Sequence, residues 1–471
     1  MLSDHSKTAK PSSRAKSRYF LTWRWHFYAG LFVIPFMLML SVTGLVMLFD
    51  DEIEFARYQS ILQVTPQHHE VLPSVQLANV QARYPEGTVT QFVPAKQVDL
   101  ANRFNVKFAD GTSRFVTVDP YTGAVLGTID RSDSWYQLAN DIHGELLMGE
   151  YGDYLIEVAA SLSILLLVTG IYLWWPRDNA SRAGFLRLRL NSGKRVMMRD
   201  LHANLGGLTS IILLFFLLSG LAWAGIWGGK FVQPWSSFPA QKWDDVPLST
   251  LTHQDLNHGS EEEMPWNLEQ TPLPASHDHS NMADSEYHAM MENIGIDVMV
   301  SKARELGFTH YKLNFPRSET GVFTLSANTM SGDIIDPTQD RTSHFDQYSG
   351  ALLADVTWED YNLVAKAMAA GIALHQGDIS VFNKVANALL CLGFVVIAVT
   401  GGIMWWLRRP VGQGKLGVPA KFASDGVWKT ALVTLVVIGV LFPLAGASIV
   451  VVLLLDWLLF NRVERLKTVF S

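Results

Sequence analysis

Residues 202–227 read HANLGGLTSIILLFFLLSGLAWAGIW: a histidine, a glycine one turn later, and an apolar run that ends in tryptophan. At about 1.5 Å per residue, such a run crosses a hydrocarbon core of about 30 Å. The first apolar stretch has the same pattern. It opens His26-Phe27-Tyr28-Ala29-Gly30 and stays apolar to Gly44. In both, the first glycine follows its histidine by four residues and the second by 18. Two helices with a histidine at the same height indicate an internal duplication. The other two long stretches match each other as well: LLVTGIYLWWPR (Leu166 to Arg177) and VIAVTGGIMWWLRRP (Val396 to Pro410), each with a histidine upstream, His143 and His375.

The composition agrees with a membrane protein. Of 471 residues, 49% are hydrophobic and only 17% charged, and the apolar residues are clustered. Nothing in the charge pattern is a basic nucleic-acid footprint. The single cysteine, Cys391, lies in an apolar run, so neither an intrachain disulfide nor a thiolate metal site can form within one chain. The first apolar stretch lacks a small-residue cleavage site before Asp50-Asp51-Glu52, which favours a retained anchor over a signal peptide.

Read in order, the chain is expected to hold a cytoplasmic tail (1–24), a first span (25–49) and a soluble unit (50–135). An interfacial segment with His143 (136–152), a second span (153–175), a basic cytoplasmic loop (176–201) and a third span (202–227) follow. A second soluble region (228–384), a fourth span (385–407), a loop (408–427), an apolar segment (428–460) and a tail (461–471) complete it. Basic residues in the tail and in 176–201 place both inside by the positive-inside rule. In 228–384, 9 Lys and Arg stand against 22 Asp and Glu, as suits the far side. Residues 50–135 promise a helix at Val71–Tyr84 and strands at 103–108 and 114–118 about an Asp110-Gly111 turn. A similar helix-plus-strand pattern recurs from Val298 to Asp336. Between them, residues 244–292 hold His253, His258, His277, His279 and His288, and read as a polar linker or a loose metal-capture segment. Residues 428–460 suit one kinked helix or a short hairpin, with Asp456 a costly residue inside them.

This topology sets His26 and His202 near one surface and His143 and His375 near the other. A neutral imidazole is a strong axial ligand for haem iron, and two imidazoles on one iron suit electron transfer. Two such groups stacked across the bilayer would carry electrons through it. The competing reading makes each histidine a headgroup-level polar residue or a helix cap. His143 and His375 lie about ten residues before their spans and would need short interfacial helices to reach a ligand. Trp23, Trp25, Trp174, Trp175, Trp405 and Trp406 read as an aromatic belt. Arg24, Arg177, Arg199 and Arg408 suit either propionate pairing or positive-inside charge. No GxGxxG after a strand, Walker loop or HExxH occurs, so electrons would come from a cytoplasmic reductase or membrane quinol.

Several ordered motifs resemble the PepSY-associated transmembrane proteins, a family of iron-regulated and iron-uptake membrane proteins similar to inner-membrane ferrisiderophore reductases. They are WRWHFYAGLFVIPFMLMLSVTGLVMLF (23–49), DIHGELLMGEYGDYLIE (141–157), TGIYLWWPR (169–177), RDLHANLG (199–206), LHQGD (374–378) and GGIMWWLRRP (401–410). The resemblance implies a mainly α membrane protein, a bundle of duplicated transmembrane helices bearing two small α+β PepSY-like periplasmic domains. It implies two haem b groups on His26, His202, His143 and His375, in a bacterial inner membrane. The implied activity is reduction of periplasmic ferric iron or ferrisiderophore, with an iron transporter as a candidate partner. The rival expectations are a haem-free accessory of iron uptake and a PepSY-type regulator of a periplasmic peptidase.

Overall fold

The computed structural model describes residues 13–177, 182–236, 242–243, 245–258, 263–276, 294–410, 415–419 and 428–455, with 458, 462 and 463. The expectations for Asp456, His277, His279 and His288 lie outside them. In chain order come helices α1 (Ser13–Leu48), α2 (Asp50–Leu62) and α3 (Pro73–Arg83), then strands β1 (Thr88–Val93), β2 (Asn102–Lys107), β3 (Ser113–Val118) and β4 (Val125–Asp130). Helices α4 (Trp135–Glu145), α5 (Glu150–Trp174) and α6 (Lys194–Leu221) follow, then strands β5 (Leu248–Thr252) and β6 (Pro272–Pro274) and helix α7 (Gly295–Glu305). The last elements are β7 (Lys312–Asn314), β8 (Val322–Ala327), β9 (Arg341–Asp346), β10 (Leu352–Thr357), and helices α8 (Leu363–Gln376), α9 (Val381–Arg408), α10 (Lys429–Leu441) and α11 (Pro443–Leu455).

Among the described residues, four helices are long and apolar enough to cross a membrane: α1, α5, α6 and α9. Their lipid-like length comes from unbroken Leu, Ile, Val and Phe runs. The hydroxyls inside them return to the helix: Thr43 Oγ1 donates to the Met39 carbonyl at 2.8 Å and Thr169 Oγ1 to Leu165 at 2.7 Å. That satisfies a polar group where no water is at hand. Pro35 sits within α1, whose helical assignment continues through it. The apolar segment beyond α9 forms two helices, with Gly439 and Gly446 close enough that a Cβ on Gly439 would lie 3.2 Å from the Gly446 Cα.

The chain divides into two compact units, each described here by itself. The first joins residues 1–44, 142–230 and 388–471. Its core packs Ala160, Ile164 and Leu165 of α5 with Leu221 of α6 and Ile438 of α10.

The second joins residues 45–141 and 231–387. Eight of its strands form one antiparallel sheet, in the order β10-β9-β8-β7-β1-β2-β3-β4, and β5 pairs with β6 separately. The sequence suggested two separate small units. They merge because β1 pairs with β7, Gln91 opposite Asn314 and Phe92 opposite Leu313, which removes two unpaired edges. Side chains alternate across the sheet with period two. Phe92, Phe104, Leu313, Phe323, Leu325 and Phe345 belong to a core with Val80 of α3 and Met299 and Ala303 of α7.

The alternate positions, Gln91, Asn105, Asn314, Thr324, Ser326 and His344, are polar and just as deeply buried. The covering residues come from the segment expected to be a linker, and that expectation fails for its described part. His253 and His258 are 0% and 5% exposed. Glu263 Oε1 accepts from Arg131 at 2.7 Å, and Oε2 accepts from Gln91 at 2.9 Å and pairs with His258 Nδ1 at 2.6 Å. Burial opposes ionisation of Glu263, yet Arg131 and His258 hold its carboxyl well below the usual range. His253 and His344 face each other at 3.0 Å between their Nε2 atoms. His253 Nδ1 lies 2.9 Å from the Thr271 carbonyl, and the Thr324 hydroxyl lies 2.9 Å from His344 Nδ1. One neutral arrangement satisfies the whole chain: Thr324 donates to His344, His344 to His253, and His253 to Thr271. A polar sheet face needs a polar cover with matched partners, and these histidines supply it.

Candidate functional site

His26 lies on α1 and His202 on α6, eight residues into a helix that begins at Lys194. The two rings meet within the first unit, with centroids 6.2 Å apart and planes at 88°. Each ring is fixed through Nδ1. For His26 the partner is Thr169 Oγ1 on α5, at 3.0 Å. For His202 it is the Ile397 carbonyl on α9, at 2.9 Å, with Thr400 Oγ1 at 3.3 Å. Thr169 and Thr400 already donate their own protons to carbonyls one turn back. Each hydroxyl is therefore an acceptor for imidazole N–H, and Nε2 is left as the basic nitrogen.

The glycine after each threonine is as important as the threonine. A Cβ on Gly170 would stand 3.2 Å from His26 Cε1, and one on Gly401 3.3 Å from His202 Cε1. A Cβ at either position would crowd the imidazole edge, so glycine lets each ring approach the helix closely. Across the rings, a Cβ on Gly206 would meet nothing within 4 Å, and one on Gly30 only Leu166 Cδ2 at 3.7 Å.

The same device recurs at His143. It sits near the end of α4, the short helix that leads into α5. Its Nδ1 lies 2.8 Å from Thr43 Oγ1, and a Cβ on Gly44 would stand 3.7 Å from its Cε1. Ser219-Gly220 stands in α6 at the offset from His202 that Thr43-Gly44 has from His26. His375 belongs to the second unit, in the last turn of α8, which ends at Gly377 in the left-handed conformation. Asn387 holds that turn by donating to the Leu374 and His375 carbonyls at 2.8 and 2.9 Å. Thus His26 and His202 are brought together, while His143 and His375 fall in different units.

Thr43, Thr169 and Thr400 were missed by sequence reasoning. Their signal was present: a Thr-Gly or Ser-Gly pair in each of the four long helices. The arginines at the same end have partners of other kinds. Arg199 and Arg189 both pair with Asp200, at 3.0 and 2.7 Å. Arg408 lies 4.9 Å from the centroids of both Trp23 and Phe27.

Two imidazoles on opposite sides of one metal require two bonds of ~2.0 Å plus ~1.1 Å from each nitrogen to its ring centre, about 6.2 Å in all. The His26–His202 separation has this value. Glycine borders the pair, and both rings are oriented by Nδ1, the outer-shell arrangement that ligating histidines use. These residues fit bis-imidazole ligation of a flat macrocycle. Among the described residues, no cluster of three or more His, Cys, Asp or Glu could hold a metal ion by itself.

The fold and this site define a multi-pass membrane protein whose helical bundle carries paired histidines. The chain belongs to the family of the PepSY-associated TM region, whose model matches residues 23–408. A comparison with proteins of curated function finds no match.

Proposed function

We propose that this protein is a transmembrane electron carrier with two bis-histidine haem b groups, one on His26 and His202 and one served by His143 and His375. The reading includes an internal duplication, with each half contributing a span, half of the sheet, a histidine-bearing short helix and a second span. It also puts the sheet on the periplasmic side of a bacterial inner membrane, opposite the basic loops.

The observation that carries the reading is the 6.2 Å separation of two rings that are each tethered by Nδ1. When bound, haem would supply a one-electron carrier. The protein's own part is to hold Nε2 of each histidine toward the shared centre, to keep each ring neutral through a fixed tautomer, and to exclude water with apolar helices. The proposed acceptor is ferric iron, free or siderophore-bound, whose hold on hard oxygen ligands weakens on reduction. The proposed donor is membrane quinol or a cytoplasmic reductase.

The test is an optical spectrum with pyridine haemochrome quantification on purified protein. The expected result is a b-type Soret band, with about half its haem lost in His202→Ala. Folded protein with no Soret band after expression with ample haem would reject the reading.

A further inference from the structure

A groove of about 430 Å³ opens on the first unit at the end of the bundle where basic residues gather. Three segments wall it: α1 through Trp25, α5 through Val168 and Tyr172, and α10 through Ala431 and Thr434. Its lining is overwhelmingly apolar and aromatic and includes no carboxylate. Three of the hydroxyls in its wall are already used as donors, Thr22 to the Arg18 carbonyl at 3.0 Å, Thr169 to Leu165 and Thr434 to Thr430 at 3.0 Å.

The rim is different. The Arg177 guanidinium lies 3.8 Å from the Tyr172 ring centre and 6.0 Å from that of Tyr19. The Arg18 guanidinium lies 5.4 Å from the Trp428 ring centre. Both arginines are exposed, and exposed Lys429 opens α10 beside them. An apolar slot beneath a cluster of cations, at the depth marked by Trp25, Trp175 and Trp428, has one complementary occupant. We propose that it seats an acyl chain of an anionic glycerophospholipid whose phosphate is held by Arg18 and Arg177. Basic pockets between membrane helices recognise anionic headgroups by this charge pairing, and guanidinium–phosphate contacts give it geometry. A quinone is a poorer match. It is uncharged, so it brings no phosphate for the charge of the rim to pair with. The proposal is independent of the haem reading, because the groove and its rim exist whatever His26 binds.

The test is native mass spectrometry of the full chain in mild detergent, after exhaustive delipidation and addition of phosphatidylglycerol or phosphatidylethanolamine of identical chains. One phosphatidylglycerol per chain is expected to persist at an activation that strips phosphatidylethanolamine, with at least about tenfold preference. Arg18→Ala with Arg177→Ala should abolish the preference, and Arg18→Lys with Arg177→Lys should keep part of it. Thr434→Trp should fill the slot and release both lipids. Equal retention of the two lipids, a preference untouched by the double alanine variant, or a quinone retained at one per chain would each overturn the proposal.

Discussion

Replacing Thr169 with valine keeps the shape of the side chain and removes the oxygen that accepts from His26. The bond lost is the 3.0 Å contact between His26 Nδ1 and Thr169 Oγ1. An imidazole N–H left with only the poorer Leu166 carbonyl to accept from it loses up to about 1–3 kcal/mol. The Leu166 carbonyl stands behind Thr169 as Ile397 stands behind Thr400, but at His26 the hydroxyl makes the well-formed bond. At His202 the order is reversed: the Ile397 carbonyl holds Nδ1 at 2.9 Å and Thr400 is the longer contact at 3.3 Å. Thr400→Val therefore leaves its histidine tethered and should cost under about 1 kcal/mol. The two chemically identical substitutions are expected to differ by about 1 kcal/mol or more in unfolding free energy, measured in one detergent on haem-free protein. On the proposed haem reading, haem retention should follow the same order, since loss of an outer-shell partner typically costs about 10–100-fold in ligand affinity. Equal losses for the two variants, or a larger loss for Thr400→Val, would refute the account of how the rings are held.

Two further outcomes follow from the geometry. A Cβ on Gly152 would lie 1.6 Å from the Glu145 carbonyl oxygen, so Gly152→Ala must push α4 off the start of α5. Faster amide exchange across residues 142–152, with the rest of α5 still protected, is the expected readout. Asp340 is 3% exposed, and burial first, then Asp333, raises its carboxyl from 3.8 to about 7. Between those values the unfolded chain has lost a proton that the folded chain keeps, so wild-type stability falls as pH rises from about 4 to about 7. Asp340→Asn keeps the contact with the Thr329 amide and escapes that loss. Relative to wild type it should gain up to about 4 kcal/mol between pH 4 and pH 7 and nothing further above, seen in thermal unfolding at stepped pH.

The four long helices were legible because apolar length alone marks them. The pairing of His26 with His202 was legible because equal offsets from glycine survive in the chain. The start of α6 was not. Residues 194–201 are charged and look like loop, yet Asp200 pairs with Arg189 and Arg199 and lets the helix run eight residues beyond the apolar stretch. Strands β1 and β10 were missed. TVTQFV at 88–93 has buried residues on both faces, so it lacks the simple alternation of a half-exposed strand. Its role as the seam with β7 depends on a partner more than 200 residues away. The histidines at 253 and 258 look like linker by composition. Their burial follows from Thr324, His344, Gln91 and Arg131, none of which is near them in sequence. The threonines that orient the histidines were in plain view, but a hydroxyl inside a membrane helix usually serves only its own helix.

The β1–β7 seam constrains how the protein is made. A hydrogen-bonded sheet cannot be threaded by a bilayer, so the strands before α5 and those after α6 must be delivered to the same compartment. The stretch between them therefore crosses an even number of times. The ribosome finishes β1 long before it reaches β7, so the first half of the sheet forms with an open flank. Until residues 312–314 arrive, that flank can recruit another nascent chain as readily as its own.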